Sequence, residues 1–433
     1  MKPQSTLALT IFAGTFLVIS HGAAMAQTVA VATGASPGKV HLLPATMETT
    51  QLGWYANAQK PVVTIKPGDS VVMETMMHFH DRLVPGATLE MLAKIRQEVP
   101  GRGAHTLTGP IYVEGAEPGD VLKVKINKIV PRSYGVNMNY PGFAGQFPKE
   151  FPQGKIRYVY LDWDNKVAEF LPGVFVPLRP FPGVLGVARA EPGRYSTVPP
   201  GRYGGNLDLR ELTAGSTLYL PVFVKGALLW ASDAHAAQGN GEINLTGIET
   251  AFREFNITVD VIKGRSLEWP RVETPTHWLT LGYDEDLNKA LEILKAETVK
   301  FITEERRVAA ADAQRIMMQR WDCRISEVVD IVKGTFCFNP KDARARPPAA
   351  LPSKETATDY VTVGSNADLN KAMDAASMAM INLIAEKRQL DRLDAYGLAS
   401  VAMDCRIAPP TGSEVAVHCL TPKSLWRTPG RSQ

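Results

Sequence analysis

The stretch Ser232–Glu242, SDAHAAQGNGE, gathers Asp233, His235, Gln238 and Glu242 among alanines and glycines. Carboxylate and imidazole side chains bind Zn²⁺ or a similar ion and so lower the pKa of bound water. A spare carboxylate beside them can carry a proton to the leaving nitrogen of an amide. The competing reading is a solvated hairpin whose Asp and Asn cap turns. On spacing alone the two readings stand even. Upstream, GGNLDL (Gly204–Leu209) offers Asn206 and Asp208 in a glycine turn where backbone can approach a ligand closely. His105 opens HTLTGPIYVEG immediately before an expected strand. In MHFH, His78 and His80 would face the same side of an extended chain, which a metal site can use.

Other chemistries find less support. GASPG (Gly34–Gly38) matches GxSxG, but the segment is Pro-containing and lacks the strand–turn–helix setting of a nucleophile elbow. There is no HExxH, no phosphate-binding loop and no dinucleotide fingerprint. A net charge of +3 over 433 residues, with no clustered basic face, gives no support for a nucleic-acid partner.

The elements that must position these residues are mainly strands. The chain carries 35 glycines and 31 prolines, with 21% charged residues, which suits a turn-rich β protein. Pro61–Thr75 and Gly115–Val130 each feed a Pro-Gly-Asp turn into an alternating strand, and Ser216–Ser232 and Phe255–Gly264 read as further strands. The fold class expected is α+β: a mainly-β sandwich or barrel over residues 27–265, with smaller α+β units behind it. Residues 132–203, rich in Pro and Gly, are expected to be long loops framing a cleft. At the start, Lys2, the apolar run Leu7–Ile19 and Ala24-Met25-Ala26 read as a secretory signal peptide over residues 1–26. The mature chain is therefore expected in the periplasm or outside the cell, with no membrane span.

The last third is duplicated. GYDEDLNKAL (Gly282–Leu291) returns as GSNADLNKAM (Gly364–Met373), DCRI returns at Asp404, and Pro340-Lys341 returns as Pro422-Lys423, each 82 residues on. The copies are expected at residues 266–342 and 357–433, joined by a linker over 343–356. Cys323 and Cys337 lie 14 apart, as do Cys405 and Cys419, so two disulfides within the copies are the natural reading. A four-thiolate zinc site competes poorly because no CxxC spacing exists. The second copy is expected to pack against the first; a surface for a homo-oligomer is the alternative.

Gly204–Glu249 resembles the acetamidase/formamidase family, whose members carry GGN-x-D and a D-x-H-x-x-QGxGE loop. HTLTGPIYVEGAEPGDVLKVKI (His105–Ile126), KPGDSVVMET (Lys66–Thr75) and DCRISEVVD (Asp322–Asp330) resemble further blocks of the same family. The resemblance implies a hydrolase that uses a divalent ion, zinc by preference, to release ammonia from a small linear amide. Carried to matching positions, it implies Asp208, Asp233, His235 and His105 as metal holders. Glu242 becomes general base, and Asn206 or Gln238 orients the carbonyl oxygen. Glu74 and His80 are further candidate ligands. This chain departs from the family after Glu74, where MHFHDRLVPG replaces an acidic, Gly-Gln-containing segment, and a bulkier or charged amide is open. A non-catalytic small-molecule or carbohydrate-binding protein on the same scaffold is the other functional class.

Overall fold

A computed structural model describes residues 38–99, 103–141 and 144–427; the leader expected at residues 1–26 lies outside them. Two Pro-Gly-Asp turns set the pattern of the first half. Asp69 N donates to Lys66 O and Asp120 N to Glu117 O, both at 3.0 Å, with Gly68 and Gly119 at φ 89° and 92°. Only glycine adopts that conformation at little cost. The second turn launches the strand Val121–Pro131, which pairs antiparallel with Phe252–Ile262 from Pro131↔Phe252 to Val121↔Ile262.

Two open sheets result. The first has twelve strands, running from Val40–Leu43 at one edge through Phe252–Ile262 and Val121–Pro131 to Asp359–Asn366 at the other. The second has eleven and is centred on Leu229–Ala237, flanked by Phe181–Val187, Thr106–Val113 and Ile248–Thr250. Their facing sides share one core, in which Val124, Ile257 and Leu218 of the first meet Leu185, Trp230 and Ile111 of the second. This is the sandwich branch of the expectation, without a closed barrel. Residues 132–203 differ from the loops expected of them. They hold five strands of the second sheet or its margin between Tyr134 and Val187, as well as a short strand at Arg194–Ser196 that pairs antiparallel with Trp54–Ala56. Prolines and glycines there occupy turns and buried positions such as Pro182 and Gly183, which hides the alternation from a composition reading.

The two copies at the C-terminal end repeat element for element. His277–Asp284, the helix Leu287–Arg306, Cys323–Ile325 and Lys333–Pro340 return as Asp359–Asn366, the helix Leu369–Arg388, Asp404–Ile407 and Val415–Pro422. The strands continue the first sheet without a break. The copies meet through Cys323↔Ile407 and Arg324↔Arg406. Their helix starts interlock: Asn288 Nδ2 donates to Asp368 Oδ1 at 2.9 Å, and Asn370 Nδ2 to Asp286 Oδ1 at 2.7 Å. Disulfides join Cys323 to Cys337 and Cys405 to Cys419.

Candidate functional site

The Leu229–Ala237 strand is buried along its whole length. Register sets His235 opposite Phe181 on one neighbour and opposite Glu249 on the other. The Phe181 ring stacks on the imidazole, with centroids 4.8 Å apart and planes 7° from parallel. One strand further out, Asn206 pairs with Val184, and Leu207 N donates to Gly183 O at 2.9 Å, which turns Asp208 inward. Gly183 stands where these side chains converge. A Cβ there would fall 2.3 Å from Asp233 Oδ2, 2.5 Å from Asp208 Oδ1 and 2.6 Å from His235 Cε1. Only glycine leaves the space in which they meet.

The result is a buried cluster with two linked centres. His235 Nε2 lies 3.0 Å from Glu249 Oε1, 3.3 Å from Glu242 Oε1 and 3.9 Å from Asp208 Oδ1. Its Nδ1 lies 4.0 Å from Asp233 Oδ2, whose other oxygen lies 3.3 Å from His78 Nε2 and 3.8 Å from His105 Nε2. Donor atoms of His78, His105 and Asp233 fall within metal-ligating range of one another, as do those of Asp208, His235 and Glu242 and those of Asp233, His235 and Glu249. His105 Nδ1 sits 3.3 Å from the Thr197 carbonyl; a proton on Nδ1 leaves Nε2 with its lone pair toward Asp233.

Five carboxyl groups face three imidazoles around a cavity of about 330 Å³. Burial, then the neighbouring Glu242 and Asp233 charges, push Asp208 well above the usual carboxylate range. Burial also raises Glu242, against a hydrogen bond from His235. Burial lifts Asp330 to about 6. At His235 burial opposes protonation, but Glu249 and Asp233 outweigh it and hold its pKa well above normal. At His78 burial dominates and lowers the pKa to about 4, so the ring is neutral at neutral pH. Asp208 Oδ1, Glu242 Oε2 and Glu249 Oε2 make no hydrogen bond. Buried acceptors without donors are costly, and a cation satisfies them. The donor set therefore fits a divalent ion on this structure's own terms.

Of the residues singled out in the sequence, Asn206, Asp208, Asp233, His235, Glu242 and His105 all line the one cavity. Gln238 does not line it; its Nε2 donates to the Asp208 carbonyl at 3.1 Å and so holds that backbone in place. Glu74 is not brought to the site. Met73 and Thr75 are buried, strand alternation sends Glu74 outward, and its carboxylate accepts from Ala45 N at 3.3 Å. His80 is likewise absent from the ligating groups. The extended MHFH that would have aligned it with His78 is instead a tight turn, with Phe79, His80 and Asp81 at φ 58°, 55° and 59°. His78, singled out with His80 in the sequence, does line the cavity, and Glu249 and Asp330 are additional members. Glu249 lies inside the stretch that carried the family likeness. Asp330 ends the DCRISEVVD block that also resembled the family, and at the 82-residue offset Asp330 and Glu327 correspond to Gly412 and Pro409 of the second copy.

Both copies hold the Gln238–Glu242 loop. Gly241 N donates to Ser326 O of the first at 2.9 Å. From the second, Ser400 O accepts from Gly239 N at 2.8 Å, Asp404 Oδ1 accepts from Asn240 Nδ2 at 2.6 Å, and Tyr396 donates to Ile243 O at 2.6 Å. The second copy thus packs on the first and also clamps the site loop.

Comparison with known proteins places this geometry. The acetamidase/formamidase family pattern matches residues 47–193 and 189–411. An acetamidase of Mycolicibacterium smegmatis is 32% identical over 219 residues, covering 37% of this chain and 54% of that protein. A formamidase of Methylophilus methylotrophus is 29% identical over 260 residues, covering 47% and 61%. The chain thus spans between half and two thirds of the length of these curated relatives. A crystal structure described as a predicted acetamidase/formamidase from Thermoanaerobacter tengcongensis superposes with a TM-score of 0.63 at 31% identity, covering 70% of this chain and 96% of that one. The matched pattern runs across both sheets and every site residue. The chain belongs to the acetamidase/formamidase family.

Proposed function

We propose that the protein is an exported, metal-dependent hydrolase that cleaves small linear amides to ammonia and a carboxylate. The observation that supports it is the buried convergence of Asp208, Asp233, His235 and Glu242 on the space left by Gly183. Asp208, Asp233 and His235 would hold the ion, His235 lying 3.9 Å from Asp208 and 4.0 Å from Asp233, with His105 and His78 in ligating range of Asp233 on its far side; zinc suits this mixed donor set. When bound, the ion supplies Lewis-acid polarisation of the amide carbonyl and lowers the pKa of water toward neutrality. Glu242, raised in pKa and within 3.3 Å of His235, takes the proton from water and passes it to the leaving nitrogen. Asn206 Nδ2 gives one hydrogen to Asp330 at 2.9 Å and keeps the other for the carbonyl oxygen. Glu249 fixes the His235 ring.

A panel of small amides, formamide and acetamide first, assayed for ammonia release tests the activity. Glu242→Gln should cut turnover ~10²–10⁴-fold while the melting temperature holds or rises, because a crowded buried carboxylate is removed. Amide binding without ammonia release would instead establish a binding protein on this scaffold. For export, cleavage after Ala26 predicts a mature chain beginning at Gln27, which N-terminal sequencing reads; an intact Met1 would overturn it. The two disulfides agree with an oxidising compartment.

A further inference from the structure

The cavity is graded in a way that formamide or acetamide does not require. Its floor carries the carboxylates and imidazoles; its walls are apolar at Met138, Val198, Leu245 and Ile331. Among the described lining residues its sole Lys or Arg is Arg96. A volume of about 330 Å³ sits at the low end of sites that enclose whole drug-sized ligands, ~300–1,000 Å³. Arg96 lies on the helix Leu89–Glu98, beyond Glu74 where the sequence leaves the family pattern. Leu92 and Ile95 bury that helix against Met77, Leu83 and Met138. Arg96, one turn on from Leu92, flanks the buried stripe and so borders the cavity. Its guanidinium stands 5.6 Å from the Tyr140 ring centre, and its charge disfavours a proton on His78.

We propose that Arg96 selects linear amides that carry a carboxylate at the end remote from the scissile bond. The inference rests on the amide-hydrolase reading and adds a substrate class to it. Arg96, the sole Lys or Arg among the described lining residues, draws an anionic end to its side of the cavity, which leaves the neutral amide to lie against Asp208, Asp233 and Glu242. The apolar walls suit a short methylene spacer. Arg96 then meets the carboxylate with charge-assisted hydrogen bonds in a planar fork that a neutral group cannot match.

The test compares succinamate with succinamide, its uncharged isostere, by the ratio of kcat/KM in the full-length mature protein. The wild type should favour succinamate by about tenfold at low ionic strength, less as salt rises. Arg96→Gln should bring the ratio near one, and Arg96→Lys should keep part of the preference. A ratio unchanged by Arg96→Gln overturns the proposal. Should no amide release ammonia, the hydrolase reading has failed instead, and calorimetry still reads Arg96. Succinamate binding weakened about tenfold in Arg96→Gln would uphold its role, whereas equal binding would sink it.

Discussion

Asp208, Asp233 and Glu242 occupy left-handed backbone at φ 40°, 53° and 46°. For residues with a side chain such conformations cost of order 1–3 kcal/mol each and persist only where the surroundings impose them. That three carboxylates of one cavity share this strain marks the cluster as a built site rather than a polar accident of the core. Gly183 is the complementary device, since any side chain there collides with Asp233, Asp208 and His235. Gly183→Ala should therefore abolish tight metal binding. Its cost in stability should stay within ~1–3 kcal/mol, the usual penalty of overpacking. Metal titration beside thermal unfolding checks this, and a variant that binds metal as the wild type does would contradict it. Asp233, His235 and Glu242 were legible in the sequence because they fall within ten residues of one another inside the stretch that carries the family likeness; spacing alone left a turn equally open. Glu74 and His80 misled, because Glu74 alternates outward and Phe79–Asp81 turn left-handed.

At the scale of elements, the helix-start interlock between the copies has a measurable consequence. Asp368 caps the helix Leu369–Arg388 by accepting from Asn370 N at 3.0 Å and also accepts from Asn288 of the other copy. Hydrogen bonds from Asn288 and Asn370 lower its pKa to about 2. A depressed carboxylate pKa means stability fully present above the unfolded value, ~3.9, and lost as pH falls toward 2. Asp368→Ala should cost ~1 kcal/mol at neutral pH, as loss of a cap does, and should flatten this acid-side loss. Thermal melts from pH 5 to 2.5 read it; a variant with the wild-type pH profile would refute the account. The duplication itself was plain from an 82-residue offset without gaps. Its contact with the site loop was not, because Asp404–Asn240 and Ser400–Gly239 pair residues more than 150 apart in sequence. No local pattern reports such a pairing.

Over the whole molecule, the sandwich supplies rigidity and the copies supply closure. The expected loops at 132–203 became strands because tertiary pairing overrode Pro and Gly composition. Tyr134–Asn139, for instance, pairs over its whole length with Lys155–Asp162. His78, Glu249 and Asp330 reach the cavity from three separate parts of the chain, so only the closed fold assembles its full lining. The central claim is that this assembly holds a divalent ion on which amide cleavage depends. Elemental analysis of the mature protein, before and after chelation and in His235→Ala, tests it beside ammonia release. The account predicts stoichiometric metal in the wild type, little in the variant, and activity lost on chelation and restored by zinc or a similar ion. Ammonia release that survives both chelation and His235→Ala would contradict it.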